Sequence, residues 1–300
     1  MAAQPGTPAS IVASDPVTVT APVIEWFAEN GRDLPWRRSD CSPWGVLVSE
    51  FMLQQTPVSR VLGPWQQWLD RWPTPEALAL EPAGEAVRAW GRLGYPRRAL
   101  RLHAAAVAIA EHHDGEVPDD HADLLALPGV GEYTAAAVAS FAYAQAHPVL
   151  DTNVRRVLAR VFSGTQFPPP TPTVAERALA RRVMPPTGAA TWAAASMELG
   201  ALVCTAANPR CHSCPIADSC RWVVLGRPVL DEPPRRAQAY AGTDRQVRGL
   251  LLQVLREHAG PVPRSRLDVV WPAARQRERA LESLIADGLV VATEGAYRLP

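Results

Sequence analysis

Four of the five cysteines stand in one short segment, CTAANPRCHSCPIADSC, where their thiols could bind metal. They are Cys204, Cys211, Cys214 and Cys220, separated by six, two and five residues. Zinc sites usually pair two short cysteine knuckles across a longer loop, whereas four thiolates in one compact coil suit a 4Fe-4S cluster. The spacing therefore predicts a 4Fe-4S cluster, with structural zinc as the alternative. Cys41 is predicted to be an ordinary free thiol.

A carboxyl group is predicted on an apolar helix face at Glu50. In GVLVSEFMLQQT it follows Leu47 by three residues and Val46 by four, so the three share one face of a helix. Burial raises the pKa of a carboxyl group, and a raised pKa suits a general acid that must hold its proton near neutral pH. A glutamate paired with a buried arginine is the alternative.

A second carboxyl group, Asp151, stands just before an apolar helix. Val154, Val157 and Val161 recur after it at helical spacing. This position is that of a helix N-cap, and the local pattern by itself indicates nothing more.

The segment LPGVGEYT, residues 127–134, is predicted to be a tight turn between two helices. Gly129 and Gly131 permit a backbone turn whose N–H groups face outward at the start of the next helix. Such groups bind an anion such as a DNA phosphate. A plain connection between helices is the alternative for LPGVG taken alone.

Composition limits the chemistry that the chain can perform. The 300 residues are 47% hydrophobic, which predicts a globular protein of two or three domains. All 30 basic residues are arginine, which excludes a side-chain amine that forms Schiff bases. Net charge is zero, yet residues 88–103 hold five arginines and no acid; they form either one basic face or ordinary solvated helix faces. Residues 1–20 lack a signal sequence or membrane span and are predicted to be a disordered tail on a cytoplasmic protein.

The elements that must position these groups are predicted to be almost entirely helical. The helices are 22–30, 43–55, 58–71, 75–80, 83–92, 97–112, 120–126, 133–144, 152–162, 173–183 and 189–203. No strand is predicted before residue 288. Residues 226–243 are predicted to be a linker, and residues 244–300 a separate unit of three helices and a hairpin like a small winged helix.

Three motifs in order along the chain resemble a known family. The cysteine spacing after MELGALVC, together with LPGVGEYTAAAV and VLDTNVRRVLARV, is similar to the helix-hairpin-helix DNA glycosylases that carry an iron-sulfur cluster. Within them it resembles the MutY-type adenine DNA glycosylases, relatives of endonuclease III, over residues 22–225. The resemblance implies an all-α, two-lobed helix-hairpin-helix glycosylase fold with an iron-sulfur cluster loop, here followed by the winged-helix-like α+β unit. It divides the chain into a cluster domain, 21–37 with 146–225, and a six-helix domain, 38–145.

The resemblance implies an enzyme that hydrolyses the N-glycosidic bond of adenine mispaired with 8-oxoguanine or guanine in double-stranded DNA. It implies a monomer with no membrane partner. The motif SE(x)MLQQT places the catalytic acid at Glu50. Asp151 would stabilise, or transiently bond, the sugar cation, and Asn153 would help to order water. Tyr133 occupies the position of the lysine that related lyases use, which implies a glycosylase without lyase activity.

The same resemblance assigns residues that contact DNA. Gln54, Gln55 and Tyr95 would enter the base stack. Gly129 and Gly131 would bind phosphate. The adenine pocket would be formed by Arg32, Trp36 and Arg37.

The chain departs from the family pattern at three places. Ala194 replaces a Glu or Gln that touches the base, so that contact is missing or supplied elsewhere. Pro96 replaces the second tyrosine of the usual GLGYY. The C-terminal NUDIX-like domain through which many relatives recognise 8-oxoguanine is not apparent in residues 244–300.

Two other functions are compatible with parts of the sequence. An endonuclease III-like glycosylase and AP lyase would share the fold and the cluster, but it needs the lysine that Tyr133 replaces. A non-catalytic iron-sulfur DNA-binding protein has no need of a carboxylate on an apolar face at Glu50.

Overall fold

A computed structural model of the chain describes residues 16–229 and 240–300. The chain divides into two units. The first combines Met1–Asp33 with Ala144–Glu232, and the second combines Leu34–Tyr143 with Pro233–Pro300. In the part of the chain that is described, no helix is long and apolar enough to cross a membrane.

Helices form most of both units. In chain order they are α1 (Pro16–Asn30), α2 (Pro43–Leu53), α3 (Val58–Arg71), α4 (Pro75–Ala79), α5 (Ala83–Trp90), α6 (Arg97–His112), α7 (His121–Ala126), α8 (Glu132–Tyr143), α9 (Thr152–Leu158), α10 (Val174–Arg182), α11 (Ala189–Leu202), α12 (Arg221–Val224), α13 (Asp244–Arg256), α14 (Arg264–Asp268) and α15 (Ala274–Ala286). Short 3-10 turns occupy Pro35–Arg37 and Cys211–Ser213, and α9 continues as a π-helical turn at Ala159–Ser163. The strands are β1 (Val262–Pro263), β2 (Val291–Thr293) and β3 (Ala296–Arg298).

In the first unit, α1 and α9 both pack against α11. Val19 and Val23 of α1 are fully buried in the same core as Val157, Trp192 and Leu199. This core fixes the start of α9, where Asp151 stands, and the end of α11, which leads into the cysteine segment.

The tail predicted for residues 1–20 is wrong for residues 16–20. These residues begin α1, in which Val19 and Thr20 are buried. Residues 1–20 contain no long apolar run, which suggested a tail, but burial of Val19 and Val23 outweighs the helical hydrogen bond that Pro22 cannot donate. Residues 1–15 lie outside the described residues.

In the second unit, α2 is buried on all sides. Every residue from 44 to 52 is buried, as expected of a helix surrounded by other elements. α3, α6 and α8 pack against it. Trp68 contacts Trp72 and Trp90 edge to face in the same core, with ring centroids 4.8 and 5.7 Å apart. The helix that carries Glu50 is therefore rigidly held.

The C-terminal part of the second unit is a winged helix. Helices α13, α14 and α15 accompany a three-stranded antiparallel sheet in the order β1-β3-β2. Tyr297 of β3 lies opposite Val262 on one side and Ala292 on the other. The predicted fold class, all-α with a small C-terminal α+β unit, is confirmed.

The prediction that no strand precedes residue 288 is wrong, because β1 pairs with β3. β1 contains only Val262 and Pro263. Two residues are too short to show the alternation by which a strand is recognised in sequence. The pairing forms only because the chain returns as β3.

The winged helix shares a core with the helical part of the second unit and is not the separate domain that was predicted. Arg256 Nε donates a hydrogen bond to the Val87 carbonyl oxygen at 2.9 Å, and Gly84 N donates to the Pro300 oxygen at 2.8 Å. Buried side chains of α13 and α15 belong to the same apolar cluster as those of α2 and α6.

The unit boundaries also differ from the prediction. They lie between Asp33 and Leu34 and between Tyr143 and Ala144, whereas the sequence placed them at 37/38 and 145/146. The 3-10 turn that carries Trp36 packs with the second unit through that buried side chain. Within the predicted linker, residues 230–239 lie outside the described residues.

Candidate functional site

Glu50 lies in the buried stretch of α2, as its spacing predicted. Ser42 caps this helix by accepting a hydrogen bond from Gly45 N at 3.1 Å, and Pro43 begins it. Glu50 is 4% exposed, and its neighbours Leu47 and Phe51 are fully buried. The predicted burial is confirmed, and the catalytic role remains a prediction.

Asp151 caps α9 and is held by two donors. Its carboxylate accepts hydrogen bonds from Val154 N at 2.6 Å and from Asn153 Nδ2 at 2.8 Å. Burial raises the pKa of Asp151, against the effect of these hydrogen bonds and of the nearby Arg156. Asn153 thus contacts Asp151 directly. The two carboxyl groups occupy different positions, with Glu50 in the buried stretch of α2 and Asp151 at the N-terminus of α9.

Arg156 continues this hydrogen-bonded chain, although its position in the sequence did not predict a functional role. Its Nη2 donates to Asn153 Oδ1 and to the Gly200 carbonyl oxygen, both at 2.7 Å, and its Nε donates to the Cys204 carbonyl oxygen at 2.7 Å. A Cβ on Gly200 would lie 2.7 Å from the Asn153 Cβ, so only glycine permits this approach of α11 to α9. The only sequence signal was a basic residue on the apolar face of α9.

The four predicted ligand cysteines line one cavity in the first unit. Val161, Leu199 and Trp222 contribute to its largely apolar wall. Burial raises the pKa of the Cys214 thiol to about 12 and also raises that of Cys220, so a bound cation is needed to hold the thiolate forms. Within residues 16–229 and 240–300, no three His, Cys, Asp or Glu side chains lie close enough together to bind one metal ion.

Arg160 holds the start of the cysteine segment. It is 1% exposed, and its guanidinium lies 4.6 Å from the ring centroid of Trp222. Nη1 donates to Cys204 Sγ at 3.3 Å and to the Thr205 carbonyl oxygen at 2.8 Å, and Nη2 donates to the Ala206 carbonyl oxygen at 3.1 Å. A guanidinium in this position stabilises a thiolate or an anionic cluster at Cys204.

Arg32, predicted to line the adenine pocket, forms a bidentate ion pair with Glu198 of α11. Nε and Nη2 donate to the two carboxylate oxygens at 2.6 and 2.7 Å, and the backbone N donates to Oε1 at 3.0 Å. The hydrogen bond to Glu198 raises the pKa of Arg32. Glu198 lies one helical turn after Ala194, so α11 carries a carboxylate although the position at which the family resemblance implies a base contact is alanine.

Trp36 and Arg37 belong to the 3-10 turn at the start of the second unit. Trp36 is buried and contacts Trp65 edge to face, with centroids 5.7 Å apart. Arg37 is half-buried. The three predicted pocket residues therefore divide between the two units, with Arg32 in the first.

The predicted hairpin connects α7 to α8. Gly129 has φ of 79°, and a Cβ there would lie 2.7 Å from Arg101 Cβ and 3.1 Å from a Phe51 ring carbon. Gly131 has open space where a Cβ would stand. Tyr133 follows in the first turn of α8 and is half-buried. The turn thus needs glycine at 129 for conformation and leaves room for an approaching group at 131.

Gln54, Gln55 and Tyr95 line one cleft of the second unit. Gln55 and Tyr95 have φ of 53° and 45°, a left-handed conformation that is costly for residues other than glycine. Tyr95 is 53% exposed. Strained backbone at both of these positions is typical of a functional site.

Arg98 holds these two segments together and was counted in the sequence only as part of an arginine-rich run. It is buried, and Nη1 donates to the carbonyl oxygens of Phe51 at 2.8 Å and Gln54 at 2.5 Å, while Nη2 donates to that of Gly94 at 3.1 Å. Burial lowers its pKa to about 10. One guanidinium therefore caps the C-terminus of α2 and positions Tyr95, and the run 88–103 is not a uniform solvated face.

Residues 48–185 match the HhH-GPD superfamily of base excision DNA repair proteins. The chain is 53% identical over 281 residues to the adenine DNA glycosylase of Mycobacterium tuberculosis, covering 93% of this chain and 92% of the relative. It is 54% identical over 282 residues to that of Mycolicibacterium smegmatis, covering 92% and 94%.

The fold is also similar to solved structures. A thermostable thymine-DNA glycosylase superposes with a TM-score of 0.64 at 24% identity, covering 70% of this chain and 97% of that protein. At this identity the likeness concerns the fold alone.

Proposed function

Because the chain belongs to the adenine DNA glycosylases, within the HhH-GPD superfamily of base excision DNA repair proteins, we propose that it removes adenine mispaired with 8-oxoguanine or guanine in duplex DNA. The protein is a base-excision-repair hydrolase that cleaves an N-glycosyl bond and acts on adenine. The base opposite the adenine and the residue roles are the new parts of the proposal.

The chemistry requires an acid and an anion. An adenine inside a duplex has to be extruded before its glycosidic bond can be reached. Glu50 gives its proton to a ring nitrogen of adenine, and the bonding electrons leave with the base. Asp151 stabilises the positive charge left on the sugar. Water, ordered by Asn153, then adds to the anomeric carbon and returns a proton to Glu50, leaving an abasic site.

The observation that carries this division of roles is the contrast between the two carboxyl groups. Glu50 is 4% exposed next to the fully buried Leu47 and Phe51, and in this buried setting it is proposed to act as the general acid. Burial raises the pKa of Asp151, while hydrogen bonds from Val154 N and Asn153 and the nearby Arg156 act in the opposite direction and stabilise its anion. Two carboxyl groups in different environments can divide acidic and anionic roles.

DNA is the partner, and we propose these contacts with it. Gln55 and Tyr95, on strained backbone, enter the base stack with Gln54. The turn at Gly129 and Gly131, which has open space at Gly131, receives a phosphate. Arg32, which is held by Glu198, is proposed to contact the adenine, as are Trp36 and Arg37.

Strand cleavage with and without hot alkali tests the proposed function. We expect the purified protein to give cleavage of an A:8-oxoguanine or A:G duplex only after alkali, because the product is an intact abasic site. A matched A:T duplex is the control. Cleavage without alkali would indicate a lyase, and absence of cleavage in both conditions would indicate a DNA-binding protein without glycosylase activity.

Tyr133 provides a sharper test of the missing lyase step. The chain contains no lysine, so no side-chain amine can attack the sugar. Borohydride should trap no adduct with the natural protein, whereas Tyr133→Lys should create one. If a folded, DNA-bound Tyr133→Lys protein gave no adduct, residue 133 would not face the sugar.

We also propose that the cysteine cavity holds a 4Fe-4S cluster. Four thiols line one compact, largely apolar cavity, and Arg160 donates to Cys204 Sγ. Cysteine thiolates in this number ligate such clusters. A bound cluster would cross-link the four cysteines of the segment. Arg156 and Arg160 donate hydrogen bonds to the carbonyl groups of residues 204–206 and hold the segment beside α9.

Metal analysis separates the cluster from zinc. We expect brown protein with about four irons and four acid-labile sulfides per chain. Cys214→Ser should lose the colour and iron, whereas Cys41→Ser, in the other unit, should retain both. Colourless protein with one zinc per chain and full activity would overturn the cluster assignment.

A further inference from the structure

An arginine-rich cleft of about 1270 Å³ lies within the second unit. One wall consists of residues 54–60 and 88–101, and the other consists mainly of α13 of the winged helix. Nine arginines and two acidic residues line it, although the whole chain has 30 basic and 30 acidic residues. The cleft therefore concentrates positive charge in a neutral protein, which attracts a polyanion. Its volume exceeds the roughly 300–1,000 Å³ of small-molecule pockets.

The two walls of this arginine cleft are joined by specific contacts. Asp287 accepts from Arg248 Nη2 at 2.5 Å and pairs with Arg97 at 3.3 Å, which links α13 to α6. Arg92 Nη2 donates to Gln253 Oε1 at 3.1 Å. These contacts preform the cleft. Arg60 and Arg245 are exposed, one on each wall.

The arginine cleft is continuous with the residues proposed to distort DNA. Tyr95 and Tyr240 are 53% and 55% exposed and both line it, so each offers a ring on which a base can stack. Arg101 lies at the other end, packed directly against Gly129 of the hairpin. A strand gripped at the hairpin would therefore meet further arginines along the cleft. Arginine binds phosphate with paired donors.

From these contacts we infer that the arginine cleft holds the phosphodiester backbone of the DNA duplex, with α13 as a backbone-binding helix. This inference rests on the proposed function and adds a contact surface to it. In helix-turn-helix proteins the second helix of the motif enters the groove, and here that helix is α15. Its Gln276 and Arg279 instead bond to Asp244, at 2.9 and 3.3 Å. In the winged helix, α13 is thus the helix that contacts DNA, and α15, which would enter the groove in a helix-turn-helix protein, is hydrogen-bonded to α13.

Salt-dependent binding to a fully paired duplex tests the inference. Backbone contacts do not depend on sequence, so a duplex without a mispair reports on the cleft whether or not the protein excises adenine. The variants are Arg60→Gln, Arg245→Gln and the double variant, each made in the full chain. The control is Arg275→Gln, an exposed arginine of α15.

Each cleft variant should weaken binding roughly tenfold at low salt, as expected for loss of one charge-assisted contact. The slope of log affinity against log salt should fall by about 0.9 for one contact and about 1.8 for the double variant. Arg275→Gln should bind as the natural protein does, and thermal melting should show all variants folded. Unchanged slopes in both cleft variants, or a loss in Arg275→Gln alone, would overturn the inference. If the cleft variants kept the salt slope of the natural protein while the natural protein excised adenine, DNA binding by the cleft would be refuted and the proposed function would stand.

Discussion

Glu50→Gln should abolish adenine excision while leaving DNA binding nearly intact. The amide preserves the size of the side chain inside the buried part of α2 but cannot give up a proton to the leaving base. Loss of a general acid lowers a rate by about 10²–10⁴-fold. The leaving group here is a purine that departs poorly as an anion, so we expect a loss of at least about 10³-fold within this range. Single-turnover excision with enzyme in excess measures the chemical step.

Glu111→Gln is the matched control, because Glu111 is exposed on α6 of the same unit. It should excise at the natural rate. Binding of Glu50→Gln to the mispaired duplex should remain within about threefold of the natural protein, since Kd does not depend on the transferred proton. Excision by Glu50→Gln within tenfold of the natural rate would remove Glu50 from the acid role.

Asp151→Asn should lower excision by about 10³-fold or more, because a neutral amide cannot offset the charge that develops on the sugar. Asparagine remains a good N-cap and can still accept from Val154 N. The variant should therefore fold. Loss of excision at saturating enzyme, with binding retained, would separate charge stabilisation from capping.

The same substitution has a pH-dependent effect on stability. Burial raises the pKa of Asp151 in the folded protein. A carboxyl group with a raised folded pKa stabilises the fold below its unfolded pKa of about 3.9, and this stabilisation is lost as the pH rises through the folded value. The free energy of unfolding of Asp151→Asn, relative to the natural protein, should therefore increase with pH above about 4. Thermal melts between pH 4 and pH 8 measure this difference.

Asp120→Asn is the control for capping, since Asp120 caps α7 by accepting from Ala122 N at 2.7 Å on an exposed surface. It should retain excision. Natural activity in Asp151→Asn would leave Asp151 with the capping role alone. A relative stability that falls with pH would contradict the effect of burial.

Local patterns in the sequence were sufficient for features that depend on near neighbours. The cysteine segment, the hairpin and the helices between residues 22 and 203 follow from spacing within a few turns of chain, whereas α12 and the start of α1 were not predicted. The burial of Glu50 was predictable because its apolar neighbours lie three and four residues away on the same helix face. Asp151 was recognised as an N-cap for the same reason.

Long-range partners were decided only by the tertiary structure. Arg98 stood in a run that resembled a basic surface, but its acceptors on α2 lie 44 to 47 residues away. Arg32 finds Glu198 across 166 residues. Helical periodicity reports which face of a helix is apolar, and it carries no information on which carbonyl or carboxylate will meet a buried guanidinium.

The winged helix shows the same limit at the scale of a domain. Its helices and hairpin could be predicted from the sequence. Strand β1 and the packing of the winged helix against the helical part of the second unit could not. Asp287 pairs with Arg97 and Arg248 across 190 and 39 residues, and these pairs help to form the arginine cleft. The sequence by itself determined most of the helices, the cysteine segment and the burial of Glu50, because each depends on neighbours along the chain. Only folding decided how the arginines divide between buried caps, ion pairs and an open cleft, since that depends on which distant oxygen atoms each guanidinium meets.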